Sequence, residues 1–279
     1  MPTSFATATP RRTASFAVRA AHLISAALAV AFVSLGAGRA EAADALAKGI
    51  KDYKSFAVER IEIALNGAKE LQTAVKAGDA KVAQGAWIKS RKGWEAAEPI
   101  TGEFFPKLDE AIDAWPDAKQ GYHAIEAPLF AGKLDGLAAP VDRLVADLAE
   151  FDKQLSAPEF RFEAQGLLNG ITKLAYEIGE NKSKGGESRY AGTSVNDIYE
   201  NNEGIEAVYK LVFSGAVKAR DPKLDKRILD KIEEVEDFVK DKDLKSVNAA
   251  GLNKAGEELA VLLQAAAPKL KLKKPAVGE

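Results

Sequence analysis

His123-Ala124-Ile125-Glu126 sets an imidazole and a carboxylate three residues apart. On a helix, positions i and i+3 share a face, so both side chains can turn to one ion. Di-iron bundle proteins use the reversed order, Glu-x-x-His, for the same geometric reason. Glu95 and Glu98 repeat the spacing with two carboxylates, immediately before Pro99. The dipole at the C-terminal end of a helix disfavours anions, and a bound cation would offset that. Asp109 and Asp113 lie one turn apart in the segment leading to His123, and Glu177 and Glu180, beside Tyr176, can bring a further carboxylate. The chemistry these residue types support is oxygen-rich metal binding with one nitrogen donor. Each acidic pair alone is equally explained by a solvated acidic face, and a lone histidine by a structural imidazole bonded to a carboxylate.

Composition narrows the alternatives. The chain of 279 residues has no Cys, one Met at position 1 and two His. Disulfides, Cys-ligated zinc, iron–sulfur clusters and thiol nucleophiles are therefore excluded, and soft-metal sites lack their ligands. A formal charge of −2 gives no case for nucleic-acid binding. There is no G-x-x-x-x-G-K-[ST] phosphate loop, no H-E-x-x-H and no G-x-S-x-G elbow. Trp87, Trp94, Trp115, Tyr122 and Phe130 read as core rather than as ligand-stacking platforms.

The elements that must position these residues are helices. Arg11, Arg12 and Arg19 precede an apolar run from Ala20 to Gly38, and Ala40-Glu41-Ala42 fits a small-residue cleavage site. This is the layout of an export signal over residues 1–42. Its removal takes away four Arg, one Glu and His22, which leaves a charge of −5 and His123 as the single histidine. Hard or borderline ions suit the remaining donors.

Periodic apolar positions predict helices at 43–77, 80–98, 103–114, 117–131, 141–155, 159–182, 194–218, 222–241 and 245–266. Pro99 is expected to end or kink the second and Pro116 to start the fourth. No stretch carries a sustained strand pattern. The expectation is an all-α fold of two packed bundles over 43–267, divided near the loop at 183–193 or sharing one core. A basic tail at 268–279 is expected to be frayed and flexible.

Four blocks in order carry a resemblance: RKGWEAAEPI (91–100), KLDEAIDAW (107–115), GYHAIEAPLF (121–130) and GESRYAGTSVNDIYENNEG (186–204). Together they resemble the imelysin-like family, and within it the exported iron-uptake branch of EfeO/EfeM type, in the short form without a cupredoxin domain. The resemblance spans most of the chain after residue 42. It implies two four-helix bundles, a periplasmic location, and a non-enzymatic protein that captures iron, Fe3+ or Fe2+. Zn2+, Cu2+ or Mn2+ are further metals it suggests. The partners it implies are an inner-membrane iron permease and a haem peroxidase-like protein, with the chain itself a monomer that is not membrane-embedded.

Position by position, the resemblance implies metal ligation by Glu95, Glu98, Asp113, His123 and Glu126. A second-half acid is assigned to Glu177, with Glu187 behind it. Glu98, Asp113, His123 and Glu126 are expected to converge, with Glu95 nearby. Two departures stand out: YAGTS at 190–194 lacks a histidine found in the relatives, and one extra residue falls between Glu98 and Asp113. Two other functions remain open from the sequence: a metallopeptidase, which the single histidine disfavours because catalytic zinc usually takes three protein ligands, and a metal-bridged binder of acidic polysaccharide.

Overall fold

All regular structure among the described residues of the computed structural model is helical. Those residues are 17–114, 119–180, 182–184 and 186–278, with side chains described from residue 44 onward. The expected export signal at 1–42 falls outside the described side chains, as do Trp115 and Pro116. The chain divides into residues 1–45 and residues 46–279; the second unit carries everything that follows.

Helix α1 spans Ala17–Ala77, α2 Ala80–Phe104, α3 Pro106–Asp113, α4 Gly121–Phe130, α5 Ala138–Ser156 and α6 Ala164–Glu180. A single 3-10 turn, Lys182–Lys184, follows. Helix α7 (Ser194–Val208), a π-helical segment (Tyr209–Phe213) and α8 (Ser214–Lys218) run on without a break, and α9 (Pro222–Val239) and α10 (Ala249–Leu270) complete the fold. Three starts, those of α2, α9 and α10, follow capping chemistry. Asp79, Asp221 and Asn248 each accept from the backbone N–H three residues on, at 3.0, 3.1 and 3.1 Å. No helix among the described residues is long and apolar enough to cross a membrane.

Helix α2 organises the unit. It packs on α3 and α4, which also pack on α5, and equally on α6 and α7, which pack with α9 and α10. One apolar core runs through both groups, from Tyr53 to Ala267. Trp87, Trp94 and Tyr122 are fully buried in it and Phe130 packs against it.

Helices α4 and α10 start at Gly121 and Ala249, about four residues later than expected, and α10 runs on to Leu270; three further segments differ from the sequence expectation in ways that have a packing cause. Helix α2 does not end at Pro99 but passes through it to Phe104. Proline removes one intrahelical donor and frees the carbonyl four residues earlier. That carbonyl belongs to Glu95, and Asn201 Nδ2 donates to it at 3.0 Å. The amide reaches because Gly204, on the same face of α7, allows close approach: a Cβ there would collide with the carbonyl oxygen of Ala96. Helix α6 begins at Ala164 instead of 159, because Phe160 and Phe162 enter an aromatic cluster with Phe104, Phe105 and Tyr53. The segment expected to fray is partly tied down. Lys273 N donates to Gln165 Oε1 at 2.8 Å, and Gln264 Nε2 to the Pro275 carbonyl at 2.9 Å.

Asn201→Leu should lower stability by about 1–3 kcal/mol, since a buried carbonyl loses its donor. Adding Pro99→Ala, which restores the helical N–H, should recover part of that loss in urea unfolding. No loss in the single variant would refute this account of the continuous helix.

Candidate metal centre

Helix α2 presents Arg91, Trp94, Glu95 and Glu98 on successive turns of one face. Helix α3 ends at Asp113, and α4 opens two turns of chemistry with His123 and Glu126. The junction depends on Gly121. Its φ is +74°, and a Cβ would strike the carbonyl oxygen of Ile112. Glycine alone fits there without strain, and so α4 starts against the end of α3 with Asp113 beside His123. The turn at 187–190 brings Glu187, and α7 brings Asp197 and Asn201.

Within this shell the His123 Nε2 atom lies 3.1 Å from Asp113 Oδ1 and 3.9 Å from Glu187 Oε2. Its Nδ1 atom lies 3.7 Å from Glu126 Oε2. The other Glu126 oxygen accepts from the backbone N–H groups of Tyr190 and Ala191, at 2.8 and 2.9 Å. Glu126 thus faces the opposite ring edge from Asp113 and holds the Glu187 loop by its backbone. Carboxylates behind the far nitrogen of a ligating histidine commonly orient the ring in this way. Trp94 Nε1 donates to Asp113 Oδ2 at 2.7 Å, so a core residue also fixes that acid.

Two buried cations sit among these acids, and neither was anticipated from the sequence. Arg91 is 1% exposed and pairs with Glu95, with Asp113, and with Glu187 at 3.2 Å, its guanidinium 5.4 Å from the Tyr122 ring centre. Lys182 is 4% exposed. Its ammonium contacts both Glu98 oxygens at 2.8 and 2.9 Å, Glu187 at 3.4 Å and Glu95 at 3.5 Å. Asn201 Nδ2 also reaches Glu95 Oε2 at 2.7 Å and Glu98 Oε2 at 2.5 Å. Among the described residues, no group of three or more His, Asp or Glu side chains is arranged to hold a single metal ion.

The electrostatics follow from burial set against these pairings. Burial and the Arg91 charge push His123 down, but Asp113 and Glu126 outweigh them and raise it to about 9. Burial pushes Asp113 up, yet Arg91 and His123 hold it well below the usual carboxylate range. Glu95 is likewise lowered, by Arg91 and Lys182 against burial. Glu98 and Asp197 go the other way, raised well above the ordinary range by burial and by the Glu95 charge.

The structure therefore gathers Glu95, Glu98, Asp113, His123 and Glu126 into one cluster. It places Glu177 outside, with Lys173 at 3.7 Å, lining a cleft of about 140 Å³ beside Glu98, Glu103 and Asp109. Glu187, the second choice for the later acid, is the one that reaches His123. Glu98 borders both the cleft and the buried cluster. Glu187, Ser188, Asp197 and Asn201 all fall in the fourth resemblance block, which is the signal that pointed to this segment without giving its roles.

Residues 49–271 match the sequence pattern of the Peptidase_M75 family, described as Imelysin. The chain is 28% identical over 172 residues to "Iron uptake system component EfeM" of Pseudomonas syringae pv. syringae, covering 58% of this chain and 59% of the relative. It is 28% identical over 186 residues to "Iron uptake system component EfeO" of Escherichia coli K12, covering 63% of this chain and 49% of the relative. The matched stretch is thus about half to three fifths of each relative's length. A solved structure described as an iron-regulated protein A precursor from Parabacteroides distasonis superposes with a TM-score of 0.67 over 81% of this chain and 95% of the other, at 15% identity. That likeness bears on the fold alone.

Proposed function

This chain belongs to the imelysin family, and from that premise we propose that it is a periplasmic, non-enzymatic protein that binds iron at the Asp113–His123–Glu187 cluster and passes it to a membrane iron permease. The relatives' names as iron uptake components support the role in uptake. The observation that carries the site is the approach of Asp113 and Glu187 to the same nitrogen of the single histidine, His123 Nε2, within 4 Å. Glu95 and Glu98 are the further oxygen donors. Glu126 orients the ring and fixes the loop. Carboxylates with one imidazole suit iron in either oxidation state, and Mn2+ or Zn2+ less selectively.

Iron is cargo here, so the site has to hold it and release it. His123, raised to about 9, carries a proton at neutral pH in the absence of metal. An imidazolium cannot ligate, so iron must displace that proton as it binds.

Anaerobic titration with ferrous ion, followed by metal analysis after gel filtration, tests the reading. The wild type should retain iron, and Asp113→Asn, which keeps the shape and removes one charge, should weaken binding at least about tenfold, roughly the cost of one charged contact. Equal retention by both would place the metal elsewhere, and no retention by the wild type would end the proposal.

A further inference from the structure

Lys182 is a nearly buried ammonium, 4% exposed, set among acids. Its nitrogen touches four oxygens of three carboxylates: two of Glu98, one of Glu95 and one of Glu187. That is how a small cation sits in a carboxylate nest, and an ammonium is a compact point charge with three donors. Arg91 is different in kind. It stands on the long helix α2, four residues before Glu95, stacked over Tyr122 and tied to Asp113. Lys182 stands in a 3-10 turn of three residues, whose next member, Ser183, is bonded to Asn253. The neighbouring Ser183 hydroxyl ties the turn to α10, while the Lys182 side chain reaches the cluster on a flexible four-carbon stem. Glu98, the acid that Lys182 holds most closely, also lines the cleft.

We propose that Lys182 is a built-in substitute for the cargo: its ammonium occupies the Glu95–Glu98–Glu187 nest when iron is absent, and iron enters by displacing it. This rests on the iron-binding reading and adds to it a mechanism for exchange. An unoccupied nest of buried carboxylates would be costly. Lys182 relieves that cost with one positive charge, and an ion with two or three charges outcompetes it. When iron is drawn away, the lysine returns and blocks immediate rebinding. The affinity of the protein is then set by a competition that its own side chain takes part in.

Two measurements test this. Lys182→Met keeps the stem and removes the charge. It should lower the melting temperature of the metal-free protein, yet bind ferrous ion at least about tenfold more tightly, and show a larger metal-induced rise in melting temperature than the wild type. A lysine with a purely structural role would lower the melting temperature by the same amount with and without metal. In the wild type, acylation of Lys182 by an amine reagent, read by mass spectrometry, should be slow without metal and speed up when ferrous or zinc ion is added. If Lys182→Met fails to fold, the wild-type acylation decides alone. Should the wild type bind metal in an Asp113-dependent way while Lys182 stays protected and the variant binds no more tightly, the exchange mechanism falls and the iron site stands. Should neither protein bind metal, both fall.

Discussion

Arg91→Met should cost the protein about 3–5 kcal/mol of stability, the range for removing one partner of a buried ion pair. Arg91 is the shared counter-charge of Glu95, Asp113 and Glu187, and Glu95 is itself 0% exposed. Methionine fills most of the volume but leaves buried carboxylates facing one another. The structure has two ways to relieve this: protonate the acids or admit water, and both consume stability. The loss should shrink as pH is lowered toward 5, because protonating Glu95 and Asp113 removes the repulsion at its source. Chemical denaturation at pH 7.5 and 5 would show it. A variant as stable as the wild type at both values would mean that Arg91 is not the keystone of the cluster, and the argument for a charge-balanced interior would have to be abandoned.

The second large effect is a pH dependence centred on His123. Its folded value of about 9 stands above the ordinary 6.5, so the folded state holds this proton more tightly than the unfolded chain. The contribution to stability is full below about pH 6.5 and is lost as pH rises through about 9, with a size on the order of 3 kcal/mol. The metal-free protein should therefore melt progressively lower from pH 6.5 to 9.5, and His123→Gln should flatten that slope. Asp113, held low, contributes in the opposite sense and far below this window. Metal affinity should run the other way. If one proton is displaced per ion, affinity rises about tenfold per pH unit below 9. Zinc titrations at pH 6.5 and 8 should then differ by more than tenfold in the wild type and by less in His123→Gln, where the raised Glu98 still has a proton to lose. A wild type whose stability and affinity are both flat across this range would overturn the assignment of the imidazolium.

Much of the fold was legible in the sequence because helical periodicity is a local signal, and the starts of α2, α9 and α10 carry local side-chain caps. What failed, failed for non-local reasons. Pro99 reads as a stop because the linear chain does not show Asn201 waiting for the released carbonyl. Helix α6 starts late because Phe160 and Phe162 have aromatic partners from α1 and α2. In the site, the i, i+3 rule brought His123 and Glu126 to one face but not to one edge of the ring. That distinction depends on the loop whose amides Glu126 binds. Arg91 could have been noticed four residues before Glu95 on the same helix. Lys182 could not, since nothing in a polar turn announces that one of its side chains points inward to three acids.

Helix α2 belongs to both groups of helices, and this restricts how the protein could give up the cargo proposed for it. Many binding proteins release ligand by opening two lobes about a hinge, with the site in the cleft between them. Such a motion needs a plane through the molecule that few contacts cross. Here the helix that carries Arg91, Glu95 and Glu98 is packed on α3 and α4 and on α6 and α7 at once, so a hinge through the site would have to tear α2 from one of its two beds. On the proposed reading, delivery would be left to smaller parts, namely the turn bearing Glu187, the stem of Lys182 and the ring of His123, and a receiving protein would meet an unchanging scaffold whose side chains alone trade places.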